Sequence, residues 1–380
     1  MNQPDTATDV VVIGAGIAGA SVAAELAAQL NVVLVEMESL PGYHTTGRSA
    51  AVFAPSYGPS SVRALTRASR SFLECPPDGF AEAPLMAPRD ILMIARPDQT
   101  NSLEGLMANA SAETEIELLD ATGLQDHQAL LRPGYAVAGM LDKGGQDIDV
   151  ATLHQAYLRQ FKSSGGTLIT GATVESLSRQ GDGWIVETTR GRILADVVVN
   201  AAGAWADLIG QLAGAESVGL VPKRRTAMII AEPPGFTQRD APITIDIDEQ
   251  FYLKPDAGRL LISPADETPT EPQDAQPDEM DVAICADRIM TAFALDIRRI
   301  ENKWAGLRSF VRDKEPVIGY SAVAPGFFWM AGQGGYGIQS APAAAKLAAA
   351  LVQRRSVPSQ IADQGLDAAS VAPDRKGLVS

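Results

Sequence analysis

Six residues near the N-terminus constrain this chain more than any others. Gly14-Ala15-Gly16-Ile17-Ala18-Gly19 follows a short apolar, β-branched run, Asp9 to Ile13, and opens an Ala- and Leu-rich stretch, Ile17 to Leu30, that reads as a helix. A second apolar run, Asn31 to Val35, ends in Glu36. Strand, glycine turn, helix and strand in that order make a β-α-β unit. The spacing G-x-G-x-x-G at its first turn is what dinucleotide binding demands. Gly14 permits the tight turn, Gly16 lets the backbone approach a pyrophosphate, and Gly19 lets helix and strand pack closely. The helix N-terminus, at Ile17 and Ala18, stabilises phosphate charge. Glu36 is placed to accept hydrogen bonds from the adenosine ribose hydroxyls.

The rest of the chain decides between NAD and FAD. A second glycine-rich strand-turn-helix pattern, Phe327 to Ala345, lies near the C-terminus, where it can bring backbone N–H groups to a flavin. A polar, Gly-containing loop, Pro41 to Ser49, follows the second strand, where an extended FAD needs covering. Both features favour FAD. Between them, helices are predicted over Ser60 to Leu73 and Ala151 to Ser164. Strands are predicted at Ile91 to Ala95, Thr167 to Ile169, Thr173 to Leu177, Trp184 to Thr188 and Arg192 to Val199. Four more follow at Arg225 to Ala231, Ile243 to Ile247, Phe251 to Lys254 and Leu260 to Ser263. An acidic, Pro-rich loop over 266–281 leads into a helix over 282–293, and residues beyond Gln353 read as a loosely held tail. The expected fold is α/β (α+β). A Rossmann-type FAD-binding domain is built from 1–85, 145–215 and 310–365, and a β-rich substrate domain of mixed sheet and helices, 86–144 and 216–309, is inserted into it.

Composition enters by exclusion. The formal net charge of −15 repels phosphate backbones, so no nucleic-acid partner is expected. Two cysteines far apart and three scattered histidines give neither a disulfide framework nor a metal site. No run approaches the ~20 apolar residues of a bilayer span, and no basic segment followed by an apolar run opens the chain. A cytoplasmic enzyme is the expectation, with peripheral attachment to a membrane left open.

Several longer segments carry a family resemblance. Asp9 to Ser21, Asn200-Ala201-Ala202-Gly203-Ala204-Trp205 and Gly334-Gly335-Tyr336-Gly337-Ile338-Gln339 resemble the D-amino-acid oxidase (glycine oxidase) superfamily. The segments Gly42 to Ala51, Pro222 to Arg225, Phe251 to Gly258 and Trp304 to Phe310 are similar to the bacterial FAD-dependent D-arginine dehydrogenases. The resemblance implies that Arg225 and Arg308 hold the substrate carboxylate, that Tyr57 and Tyr252 flank the substrate, and that Glu249 lies near them. Guanidinium forks suit this task because they pair bidentately with a carboxylate. It further implies a substrate pocket containing Val52, Ala54, Ile91, Ile243, Ile245 and Gly335. The FAD, non-covalently bound, would lie along His44, Thr46, Arg48, Ser49, Ala50, Val174, Ala202, Gly203 and Trp205. The backbone of Gly334, Gly335, Tyr336, Gly337 and Ile338, with Gln339 close by, would meet the flavin and its ribityl chain.

The chain also departs from that pattern. The carboxylate that binds a substrate guanidinium in the resembled family falls on Ile91, its active-site histidine on Val52 and a neighbouring threonine on Ala54. Asp90 is one residue away, but successive strand side chains point to opposite faces. An apolar side chain therefore fits better than arginine. The expected reaction is oxidation of a small D-amino acid to the 2-imino acid, which hydrolyses to a 2-oxo acid and ammonia. The same clamp serves other amino, N-alkylamino, imino or 2-hydroxy acids, and a non-catalytic FAD-binding subunit of a larger dehydrogenase is the reading from another class. The electron acceptor (quinone, other carrier or dioxygen) stays open.

Overall fold

The computed structural model describes residues 6–108 and 116–378. Its first sheet has eight strands. Thr6–Ile13 sits near the middle, parallel to Gly191–Asn200 on one side and to Val32–Val35 on the other, and Thr167–Ile169 follows at the edge, again parallel. Phe327–Ala331 runs parallel beside Gly191–Asn200, and Val317–Tyr320 pairs outside it. The hairpin Val174–Gln180 and Gly183–Thr188 extends the other branch. Strands covered on both faces read as unbroken apolar runs, which is why Val10 to Ile13 and Val32 to Val35 stood out. Val10 and Val12 pack beneath helices Ile17–Ala27, Val150–Ser163 and Gly337–Val352. Val11 and Ile13 face the opposite layer, with Leu177, Trp184 and Ile209.

A second sheet of nine strands forms the other half of the core. Its order runs Thr268–Pro269, Val221–Ala231, Arg259–Ser263, Tyr252–Asp256, Ile243–Asp246, Ile91–Ala95, Ala138–Asp142 and Ile116–Asp120, with Asn302–Phe310 also paired to Val221–Ala231. Only the pairing of Ile243–Asp246 with Ile91–Ala95 is parallel. A small third sheet joins Val52–Phe53, Gln146–Ile148 and Met86–Pro88.

Two expectations need correction. The helix expected from 282 begins at Glu279, because the Asp278 carboxylate caps it by accepting the Met280 N–H at 2.9 Å. The segment beyond Gln353 is packed, not loose. Ile361, Leu366 and Val371 are buried, Arg67 donates to the Gln364 side chain and carbonyl, and Arg375 pairs with Asp313 at 2.8 Å.

Candidate active site

The first turn of the dinucleotide unit folds as its glycines require. Gly14 takes φ +98°, a left-handed conformation, and a Cβ on Gly19 would lie 1.7 Å from the Gly14 carbonyl oxygen. Helix Ile17–Ala27 starts without a side chain of its own capping it, and the Ile17 N–H instead donates to Thr46 Oγ1 at 2.9 Å. Buried Glu36 accepts the Ala15 N–H at 2.7 Å and the Glu38 N–H at 2.9 Å. Each carboxylate oxygen keeps a lone pair for a further donor. From behind, buried His154 meets the Ala15 carbonyl with Nε2 at 2.9 Å, and burial pulls its pKa down.

A cavity of about 590 Å³ opens over this turn. It is lined by Gly14, Gly16, Ile17, Ala18, Glu36, His44, Thr46, Arg48, Ser49, Ala50, Val174, Ala202, Gly203, Trp205, Gly334, Gly335, Gly337 and Ile338. Eighteen of the expected cofactor residues are thus brought together from six separate stretches of chain. Three are not. Gly19 packs behind the turn, and Tyr336 and Gln339 line a smaller neighbouring cavity. Reading by glycine pattern missed Ser309 and Gln333, which also line the large cavity. Buried Ser309 Oγ and Gln333 Nε2 have no hydrogen-bond partner among the described residues, and a bound polar ligand would satisfy them. The Gln333 position, inside the turn 332–337, was the available signal. Arg48 is committed elsewhere: its guanidinium bonds the Ala305 carbonyl at 2.8 Å and the Asp274 carboxylate at 2.5 Å, which ties the polar loop to Asn302–Phe310.

The smaller cavity, about 150 Å³, adjoins the first and shares Ser49, Ala50, Arg225, Tyr252, Arg308 and Gly335 with it. Tyr57, Val52, Ala54, Ile91, Ile243, Ile245 and Glu249 line it as well. Arg225 and Arg308 stand on adjacent antiparallel strands, where Arg225 pairs with Gly306 and Lys223 with Arg308. That register makes the two arginines diagonal neighbours on one face. Arg225 is 8% exposed; its Nη2 bonds Glu267 at 3.1 Å, while its buried Nε has no partner among the described residues. Burial, and then the Arg308 charge, lower the Arg225 pKa. Two cations held this close call for an anion.

Opposite them, the Tyr57 hydroxyl donates to Glu249 Oε1. Burial above all, and then the Glu249 charge, push the Tyr57 pKa well up, so the phenol stays protonated at neutral pH. Glu249 takes φ +54°, which for a residue with a Cβ costs about 1 kcal/mol. The turn is held by the Glu249 N–H on the Asp246 carbonyl at 2.8 Å, and by the buried Asp246 carboxylate, which accepts from Arg96 and Gln99.

The walls are apolar: Ile91, Met93, Met140, Ile243 and Ile245. Asp90 is not among the lining residues; its carbonyl accepts the Ile243 N–H and its side chain stays outside. The carboxylate on this wall is Asp142, which reading of the sequence missed because an Asp at a strand end looks like turn chemistry. Among the described residues no cluster of His, Cys, Asp or Glu is arranged to hold a metal ion, and no helix is long and apolar enough to cross a membrane.

The DAO family model, described as FAD dependent oxidoreductase, matches residues 9–351. Human mitochondrial dimethylglycine dehydrogenase is 32% identical over 155 residues, covering 40% of this chain and 18% of that enzyme's length. Among solved structures, glycine oxidase from Geobacillus kaustophilus superposes with a TM-score of 0.85 at 22% identity, covering 97% of this chain and 99% of its own. Iminodiacetate oxidase from Chelativorans sp. BNC1 gives 0.80 at 22% identity, covering 96% and 98%.

Proposed function

The chain belongs to the DAO family of FAD-dependent oxidoreductases, and from that premise we propose that it oxidises a small D-amino acid at the carbon bearing the amine. The product is the 2-imino acid, which hydrolyses to a 2-oxo acid and ammonia, and apolar side chains are preferred over arginine. One observation carries the reading: two neighbouring guanidinium groups, Arg225 and Arg308, face a small apolar-walled cavity that opens into the dinucleotide cavity. An α-carboxylate satisfies both cations, and their fork geometry fixes its plane. Tyr252 shares the clamp end, and the Tyr57–Glu249 pair supplies a donor-acceptor edge for the amine. FAD, held without a covalent bond, supplies the hydride-accepting chemistry. The chain's own part is to hold the carboxylate, take the amine's proton at the Glu249 carboxylate, and exclude water from the apolar wall.

The side-chain preference rests on the wall. A guanidinium laid against Ile91, Ile243 and Ile245 loses hydration without gaining a partner from them, while an apolar side chain gains ~25 cal/mol per Å² buried. The relatives named for dimethylglycine, glycine and iminodiacetate favour a second reading, an N-substituted glycine held by the same clamp. Anaerobic bleaching of the flavin against a panel of D- and L-amino acids, N-methylglycines and 2-hydroxy acids separates the two. D-leucine, D-methionine and D-phenylalanine are expected to exceed D-arginine and D-lysine by at least about tenfold in kcat/KM. Bleaching by N-methylglycines alone would establish the second reading, and no bleaching by any carboxylate-bearing compound would remove both.

A further inference from the structure

Asp142 is fully buried on the wall of the smaller cavity, and nothing in the proposed reaction uses it. It ends strand Ala138–Asp142 and stands directly across from Ile91 in antiparallel register, with Ile243 next along the same row. Residues paired this way present their side chains on one face. Its Oδ2 accepts the Ser56 hydroxyl and its Oδ1 accepts the Gly144 N–H at 2.8 Å, and among the described residues no cation lies within ion-pairing distance. A carboxylate accepts about four hydrogen bonds, so each oxygen has capacity left. Burying such a group with its capacity unfilled is costly unless something in the cavity completes it.

We propose that Asp142 is a specificity-determining residue, which accepts a hydrogen bond from a neutral donor, a hydroxyl or ring N–H, at the far end of an otherwise apolar substrate side chain. The inference rests on Arg225 and Arg308 holding the substrate carboxylate. The cavity's size fits a ring on an apolar stem: apolar cavities of roughly 150 Å³ take up benzene. Arg63 lines the same cavity as Asp142 and makes no side-chain hydrogen bond or ion pair among the described residues, and this cation favours a neutral donor over a charged one. A terminal ammonium or guanidinium would face this like charge, whereas a phenol hydroxyl would not.

Two non-oxidisable acids test this without turnover: 3-phenylpropionate and 3-(4-hydroxyphenyl)propionate, bound to the holoenzyme and followed by flavin absorbance. The wild type is expected to bind the phenol at least about tenfold more tightly, since a hydrogen bond to a buried charge is among the stronger kinds. In Asp142→Asn the ratio should fall below about threefold. In Ser56→Ala, where the carboxylate remains and loses one partner, it should hold at tenfold or above. Equal binding of both acids by the wild type, an undiminished ratio in Asp142→Asn, or a lost ratio in Ser56→Ala would each overturn the role given to Asp142 while leaving the clamp intact. Failure of both acids to bind at all would overturn the clamp itself, and this inference with it.

Discussion

Removing either arginine of the clamp should cost substrate binding and little else. Arg225→Ala takes away a guanidinium that is 8% exposed, has one N–H on Glu267 at 3.1 Å and has a buried Nε with no partner among the described residues. A charge-assisted hydrogen bond in such a place contributes ~1.5–3 kcal/mol, so kcat/KM should fall roughly ten- to hundredfold, toward the upper end because the guanidinium is buried. Arg308 is more accessible, and solvent screening puts Arg308→Ala toward the lower end. The fold should survive, because Glu267 keeps its partner Lys223 at 2.9 Å and no buried charge is orphaned. The double variant should lose less than the two single losses combined, since both groups hold one carboxylate. The assay is steady-state turnover on the best carboxylate substrate, with flavin content read by absorbance after denaturation. Wild-type efficiency in both variants would refute the clamp, and loss of flavin in step with activity would place the arginines in the cofactor site instead.

Four further outcomes are expected. Gly19→Ala forces a Cβ to within 1.7 Å of the Gly14 carbonyl, so the variant should purify without yellow colour; normal flavin content would contradict the packing role. Gly335→Ala places a Cβ 3.0 Å from the Arg308 Nη1, so KM should rise severalfold while flavin content stays level, and an unchanged KM would speak against it. Acid precipitation should release the FAD into the supernatant, and flavin remaining on the polypeptide would show a covalent bond. His154 is held neutral by burial, with its pKa below the ordinary 6.5. Below about pH 6.5 the unfolded chain takes up a proton that the folded one does not, so stability drops as the pH falls through that value. The loss of Tm between pH 7.5 and 5.5 should be smaller in His154→Asn, and an equal loss would exclude the residue as a cause.

What the residue pattern revealed, and what it concealed, divides along physical lines. Thr6–Ile13, Ile17–Ala27 and Val32–Val35 were legible because their apolar period and glycine turn are local, and Ile91–Ala95 because it is buried on every side. Trp304 to Phe310 carries the family resemblance without showing that Asn302–Phe310 is a strand. Its outer half carries exposed Asn302 and Lys303, and only its pairing with Val221–Ala231 makes it regular. The packed C-terminal segment was misread for a similar reason. Its turns are rich in Pro, Asp and Gly, and Ile361, Leu366 and Val371 are too sparse to show a period although each fills a distant pocket. The clamp and the isoleucine wall are legible through family resemblance, whereas Asp142 needs the register of Ala138–Asp142 against Ile91–Ala95, which no one-dimensional pattern contains.

The order of strands in the first sheet has a consequence for synthesis. Phe327–Ala331 completes the sheet beside Gly191–Asn200, and helix Gly337–Val352 packs on both Ile17–Ala27 and Ser60–Glu74. The glycine turn therefore waits for Phe327–Ala331 and Gly337–Val352 to be made before its own layer closes. Until then Val198 to Asn200 leaves an open edge beside an uncovered apolar helix, the kind of surface that invites chaperones or aggregation. FAD in the large cavity, which segments 13–18 and 332–338 both line, would stabilise only the folded molecule, so when flavin is scarce the apoprotein is the species exposed to proteolysis.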